Sequence, residues 1–404
     1  STTTFYTSKS DIYLPPMKIL FIEPYNGGSH KIFLEQFISQ LHKKGVECDS
    51  VSLAPKKWRW RFLSAHFHLA EIVNDSFSHR PPEVIICSSL MDTASFKALL
   101  GPAFHNSSII TFFHENQLAY PIYRNADNIK DQQKLKKYTY PLVHLNQILS
   151  SDALLFNSRF NYDSLFHGLD KFIRTMPDAR PYKSFENAKK KCFIIGLGIE
   201  IAQNSSELLD WEKRPSRILW NHRWEYDKNP QEFVELFTKL IRTHPNLELD
   251  LLGDDRKGEC SDTFLELNKR FPTHIKTFGG LNDRKRYIKQ LGYCRLLPVT
   301  SNHDFFGLSI IDAIVNGVIP LLPNRLSYPE LIAPSLHEKL LYSSFKELYQ
   351  KSSLLLNIGL DNKEKEKLLS WLRPYSWSEY SSRLLKILHL IRRTRAQFKP
   401  LNHS

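Results

Sequence analysis

The chain has 404 residues, 42% hydrophobic and 24% charged. That balance excludes a disordered or fibrous protein and allows two domains of about 150 to 200 residues, each with a core of its own. A formal net charge of +13 and a pI of about 9.3 point to a polyanionic partner, either nucleic acid or an anionic membrane surface, or else to a merely basic enzyme. No apolar run reaches the ~18 residues of a membrane span, so no transmembrane helix is expected. Cys48, Cys87, Cys192, Cys260 and Cys294 never form a Cys-x-x-Cys pair, which argues against a zinc site and for reduced thiols in a cytosolic or nuclear compartment.

In chain order, residues 1–16 are polar and lack the apolar core of a secretory signal, so a loose extension is expected there. Met17 to Glu23 has strand composition and is followed by Pro24, Gly27 and Gly28, then by an amphipathic pattern from Ile32 to Leu41. Strand, glycine turn and helix make a unit that lets backbone approach a phosphate, although adjacent glycines more often mark only a turn. Ser29 and His30 follow, with His30 read either as a ligand contact or as a surface residue at the helix start. Lys56, Lys57, Arg59 and Arg61 interleave with Trp58 and Trp60, as cations and rings do on RNA-docking surfaces and on interfacial membrane anchors.

Val46 to Leu53, Val84 to Ser88, Ile109 to Phe113 and Ala153 to Asn157 read as further strands separated by helical patterns, which predicts a parallel, doubly wound sheet. His114, Glu115 and Asn116 emerge at the carboxyl end of one of these strands, where such sheets bind ligands. Lys130 to Leu149 has the length of a helix, basic at its start, and is read as a solvated face rather than an RNA contact. Cys192 to Glu200 is the last strand before a polar hinge at Gln203 to Pro215.

Arg217 to Asn221 opens a second sheet, and the loop at its end carries Arg223 and Lys228 ahead of a helix from Pro230 to Arg242. Such a pair is either surface charge or a clamp that stabilises a departing diphosphate. Strands are expected at Leu247 to Gly253, Ile275 to Phe278 and Leu296 to Val299. A polar turn then ends in Asp304, Phe305-Phe306-Gly307 follows, and Leu308 to Val315 has the length and flanks of a buried helix ending at Asn316-Gly317. A helix start favours an anion. With Asp304 and Asp312 beside it, the anion that fits is a nucleotide-sugar, which offers diphosphate to the helix and hydroxyls to the acids. Trp371 to Ile391 gives a last helical pattern after Pro374.

Asp304-Phe-Phe-Gly-Leu, Asp312-Ala, Gly317, Pro320 and Glu330 resemble the C-terminal signature of retaining GT-B glycosyltransferases, in which two acids, usually both Glu, have seven residues between them. Ile22 to His30, Phe112 to Pro121 and Pro323 to Glu330 resemble the tRNA-queuosine α-mannosyltransferases more closely. The resemblance implies an α/β GT-B fold with two Rossmann-like domains facing a central cleft. It divides the chain into an acceptor-binding domain at 17–202, a linker at 203–215, a donor-binding domain at 216–375 and a helix at 376–404 that crosses back. The implied reaction moves mannose from GDP-mannose to the cyclopentenediol of queuosine in tRNA-Asp, without a cofactor or metal. Gly27 and Gly28 would then overhang the sugar diphosphate, Arg223 and Lys228 hold its phosphates, and His114 and Asp304 grip sugar hydroxyls. Gly253 and the Phe278-Gly279 loop would meet the nucleotide, Phe305 to Leu308 the phosphates, and Asp312 the ribose. Ser29, His30, Glu115 and Asn116 fall on the acceptor side, with Lys56, Lys57, Arg59 and Arg61 touching tRNA. Two other readings stay open: the same donor site with a lipid or polysaccharide acceptor, and an RNA-binding module whose active site has decayed.

Overall fold

The computed structural model describes residues 17–121, 133–201, 210–253, 260–281 and 283–397. The expected extension at 1–16, most of the expected hinge and the residues just after Gly253 lie outside that range. The first six strands are β1 (Lys18–Glu23), β2 (Glu47–Ser52), β3 (Val84–Ser88), β4 (Ser108–Phe113), β5 (Ala153–Phe156) and β6 (Cys192–Ile194). They form one parallel sheet in the order β2-β1-β3-β4-β5-β6. A second parallel sheet holds β7 (Arg217–Trp220), β8 (Glu248–Leu251), β9 (Ile275–Phe278), β10 (Leu296–Pro298), β11 (Ile319–Pro323) and β12 (Leu341–Tyr342), in the order β12-β11-β10-β7-β8-β9.

Helices cover both faces of each sheet, so the central strands are near-continuous apolar runs rather than alternating ones. Every residue of β3 (VIICS) and β4 (SIITFF) is buried, and so is every residue of β11 (IPLLP). The Gly28–Lys43 helix packs Phe33, Leu34, Phe37 and Leu41 on the first sheet. The Trp377–Gln397 helix lies against it, with the Trp377 ring 5.8 Å from Phe33 and Trp377 Nε1 donating to Gln36 Oε1 at 3.1 Å. Its start is tied to the end of the first domain, since Ile199 N–H donates to the Tyr375 carbonyl and Trp377 N–H to the Ile199 carbonyl.

The helix expected from Lys130 differs in form: a π-helical turn at Leu135–Thr139 precedes an α-helix at Tyr140–Ser150. Pro141 is the cause, because it has no N–H to donate one turn back and its ring crowds the carbonyl there.

The domains also meet through Glu330, whose carboxylate accepts from Arg159 N–H at 2.7 Å and Phe160 N–H at 2.8 Å. Those amides are free donors at the start of the Arg159–Thr175 helix, so an acid of the second domain caps a helix of the first. Tyr226 Oη donates across the same gap to the Pro121 carbonyl at 3.1 Å.

Candidate active site

In an open parallel sheet, ligands bind at the carboxyl ends of the strands where the order of succession reverses. The reversal falls between β1 and β3 in one sheet and between β7 and β10 in the other. The loops after β1, β7 and β10 therefore converge on one cleft of about 480 Å³ between the domains, lined by residues of both.

On the second domain's wall, Lys228 is almost wholly buried, with Nζ donating to the His303 carbonyl at 2.7 Å and lying 3.2 Å from Asp227 Oδ2 and 3.5 Å from Asp304 Oδ2. Burial pulls its pKa down, but the two carboxylates outweigh burial and hold it above the usual lysine value. The same contact works on Asp304: burial raises its pKa, while Lys228 and the Phe306 N–H, which donates to Oδ1 at 3.1 Å, bring it below the usual carboxylate range. Lysine and acid are thus both charged and form an ion pair on the cleft wall. Gly307, at φ +86, turns the chain into the Leu308–Val315 helix, and a side chain there would be strained. Arg223 stands at the mouth with its side chain 61% exposed and Nη1 3.0 Å from Glu225 Oε1. One wall therefore holds a buried ammonium, an open guanidinium, a carboxylate and a helix start.

On the first domain's wall, the buried Glu23 at the end of β1 lies with Oε2 3.1 Å from His30 Nδ1 and Oε1 accepting from Tyr25 N–H at 2.9 Å. Burial lowers the His30 pKa, but Glu23, by charge and hydrogen bond, and Glu115 raise it further, so the net shift is upward. The His114 ring sits 5.1 Å from His30 and 4.1 Å from Phe112. Burial first and the His30 charge second push its pKa well below the usual histidine value, so it is a neutral imidazole. The residue lines the cleft, and its Nε2 is buried with no protein partner among the described residues. A buried ring nitrogen without a protein partner is uncommon and marks this position for a role beyond packing.

Two family models match the chain: "tRNA-queuosine alpha-mannosyltransferase N-terminal" over residues 18–199 and "Glycosyl transferases group 1" over residues 202–366. The tRNA-queuosine alpha-mannosyltransferase of Drosophila melanogaster is 29% identical over 321 residues, which is 78% of this chain and 81% of that protein. The chain joins an N-terminal domain of the tRNA-queuosine α-mannosyltransferase type to a group 1 glycosyltransferase domain, in a GT-B fold. Solved structures agree on the fold. Sucrose-phosphate synthase from Thermosynechococcus elongatus superposes with a TM-score of 0.67 at 13% identity, over 94% of this chain and all of that one (100%). Anabaena HepE in complex with UDP and glucose gives 0.59 at 14% identity, over 92% and 99% of the two chains.

Within this glycosyltransferase the cleft brings together Gly28, Ser29, His30, His114, Glu115, Arg223, Lys228, Asp304 through Leu308, and Asp312. Other expected site residues stand elsewhere. Asn116 is fully buried and faces away: its Nδ2 donates to Asn161 Oδ1 at 2.8 Å and Ser164 Oγ at 3.0 Å, and its Oδ1 accepts from Ala119 N–H at 2.9 Å. It shapes the loop before Tyr120 and has no group left for an acceptor. Gly27 turns toward Pro55, 2.4 Å from where its Cβ would be, and leaves the cleft face to Gly28. Phe278 packs its ring 5.1 Å from Trp224, and the Gly279 N–H donates to the Leu251 carbonyl at 2.8 Å, so that amide is taken and cannot read a base. Lys56, Lys57, Arg59 and Arg61 lie outside the cleft, around the start of the Trp58–Phe77 helix.

Gly253 acts from behind the wall. A Cβ there would fall 1.8 Å from the His222 carbonyl oxygen and 2.8 Å from the Trp224 ring, which flank Arg223. Gly253→Ala is therefore expected to push this loop outward, costing about 1–3 kcal/mol of stability as overpacking does. Donor affinity should fall by more than the melting temperature accounts for. Thermal melts alongside GDP titration check this, and wild-type GDP affinity would count against it.

Sequence reasoning missed Glu23 and Arg284. A charged residue at the carboxyl end of a buried strand was the available signal for Glu23. Arg284 makes a two-pronged contact with Asp312, Nη1 to Oδ2 and Nη2 to Oδ1, both at 2.8 Å, so the expected ribose ligand is already aligned by a guanidinium. Among the described residues no group of three His, Cys, Asp or Glu side chains is arranged to hold a metal, and no helix is long and apolar enough to cross a membrane.

Proposed function

We propose that this chain is a retaining glycosyltransferase that moves mannose from GDP-mannose to a hydroxyl of the queuosine cyclopentenediol in the anticodon of tRNA-Asp. The observation that carries the reading is the convergence of Arg223, Lys228, Asp304 and His114 on one interdomain cleft of a chain whose first domain matches the queuosine-modifying family. In this reading the diphosphate lies against Arg223, Lys228 and the start of the Leu308–Val315 helix, with His114 Nε2 and Asp304 on sugar hydroxyls. The acceptor oxygen bonds to the anomeric carbon on the face from which the β-phosphate oxygen departs. Its proton passes to that phosphate oxygen, and GDP leaves. Lys228 and Arg223 stabilise the negative charge that grows on the leaving group, so no metal is required for that task. Fixed hydroxyl contacts hold the reacting atoms in line.

The test is direct. Incubation with GDP-mannose and queuosine-containing tRNA should add one hexose to the modified nucleoside, with the anomeric configuration of the donor retained. No hexose gained from any nucleotide-sugar would overturn the reading.

A further inference from the structure

Two segments about 80 residues apart in sequence build one surface. At the start of the Trp58–Phe77 helix, Trp60 is 68% and Trp58 37% exposed, with Lys56, Lys57 and Arg59 open beside them. The π-helical turn at Leu135–Thr139 presents Tyr138, 51% exposed, with Lys134 and Lys137. They are fastened together from beneath: the Tyr140 ring lies 6.5 Å from Trp58 and meets Phe62 edge-on at 5.4 Å. Each side carries a cation over a ring, Arg59 at 5.5 Å from Trp58 and Lys137 at 4.9 Å from Tyr138.

The surface runs into the cleft by two routes. Lys136 Nζ donates to the carbonyl of Tyr120, a cleft residue, and Pro55 packs on Gly27 next to the cleft residue Gly28. Open rings alternating with cations are what unstacked bases and the phosphates between them dock upon. A membrane anchor needs the apolar face of its helix free to enter lipid. Here Phe62, Ala65, Leu69 and Val73 on that face are buried in the protein.

We propose that Trp58, Trp60 and Tyr138, with Lys134, Lys137 and Arg59, form a stacking platform for the unpaired nucleotides of an RNA loop whose modified base reaches the cleft. The proposal rests on the tRNA-acceptor reading above and specifies where that RNA sits. It also assigns the basic start of the Lys130 to Leu149 segment to RNA, rather than to a solvated face.

The test compares wild type with Trp60→Ala, Tyr138→Ala and Lys137→Ala in titrations with queuosine-containing tRNA, with GDP, and with mixed phosphatidylcholine–phosphatidylserine vesicles. The ring variants should weaken tRNA binding about tenfold each. Lys137→Ala should make the slope of log affinity against log salt shallower by about one. GDP affinity and transfer to the free queuosine nucleoside should be unchanged. Unaltered tRNA affinity in the ring variants would overturn the platform, as would equal losses of tRNA and GDP binding. Vesicle binding that depends on Trp60, with tRNA affinity intact, would overturn it in favour of a membrane surface. A wild type that transfers nothing to queuosine, while Trp60→Ala still weakens RNA binding, would sink the reaction and leave the platform standing.

Discussion

Lys228→Ala is expected to lower kcat about 10³-fold, the upper range for removing one charge-stabilising donor from a leaving group. The residue does two things at once, and a second variant separates them. In the empty cleft it pairs with the buried Asp227 and the partly exposed Asp304. Removing it leaves both carboxylates without a cation, a change that costs about 3–5 kcal/mol when a buried pair is broken. In the proposed complex the same ammonium faces the diphosphate. Adding Asp304→Asn to Lys228→Ala should restore part of the melting temperature, because one stranded charge is gone. It should restore none of the kcat, because the cation is still missing. The pH dependence has a definite sign. The Asp304 pKa is depressed in the folded protein, so its pairing stabilises the fold above the ordinary carboxylate value of 3.8 and is lost as pH falls through the depressed one. A kcat within tenfold of wild type in Lys228→Ala would remove the residue from the leaving-group site.

How much of this was legible in the sequence depended on distance along the chain. Val84–Ser88 could be read to the residue and Ala153–Phe156 to within one, because parallel strands covered on both faces are unbroken apolar runs between turns. The Asp304 turn and the Leu308–Val315 helix were equally plain, since a positive-φ glycine, an apolar run and Asn316-Gly317 are all local signals. Pairings were not. Asp312 meets Arg284 from 28 residues away, and Glu330 caps a helix start 171 residues earlier; no periodicity encodes either contact. Of the three polar residues after β4, sequence could not tell which would face the cleft. His114 does, with its Nε2 unpartnered, while Asn116 spends every group of its amide on the loop. The basic stretch before Tyr140 is exposed, as a solvated face would be, but that Tyr140 brings it beside Trp58 could not be read, because Trp58 is supplied by a different helix.

Glu23→Gln is expected to lower kcat about 10²-fold at neutral pH and to move the alkaline limb of its pH profile to lower pH. We infer that His30, which the sequence resemblance puts on the acceptor side, is a third cation on the diphosphate, on the wall opposite Lys228, with Glu23 keeping it charged. Four groups bear on the imidazole: Glu23 from β1, His114 and Glu115 from the loop after β4, and Arg223 from across the cleft. Burial and Arg223 disfavour the imidazolium, the carboxylates favour it, and the carboxylates prevail. His30 therefore carries its charge above the ordinary histidine pKa of 6.5, and the stabilisation from this pair is complete below that value and lost as pH rises through the raised one. Glutamine preserves an oxygen for the Nδ1–H but removes the charge, so the imidazolium is given up at lower pH and the active fraction shrinks first on the alkaline side. His30→Ala should abolish the limb altogether at a similar loss of kcat. A Glu23→Gln enzyme that slows without moving the limb would give Glu23 a different task. Its Oε1 also accepts from Tyr25 N–H, so the carboxylate would then serve to hold the Pro24–Gly27 turn in shape, and the charge at His30 would have no part in the transfer.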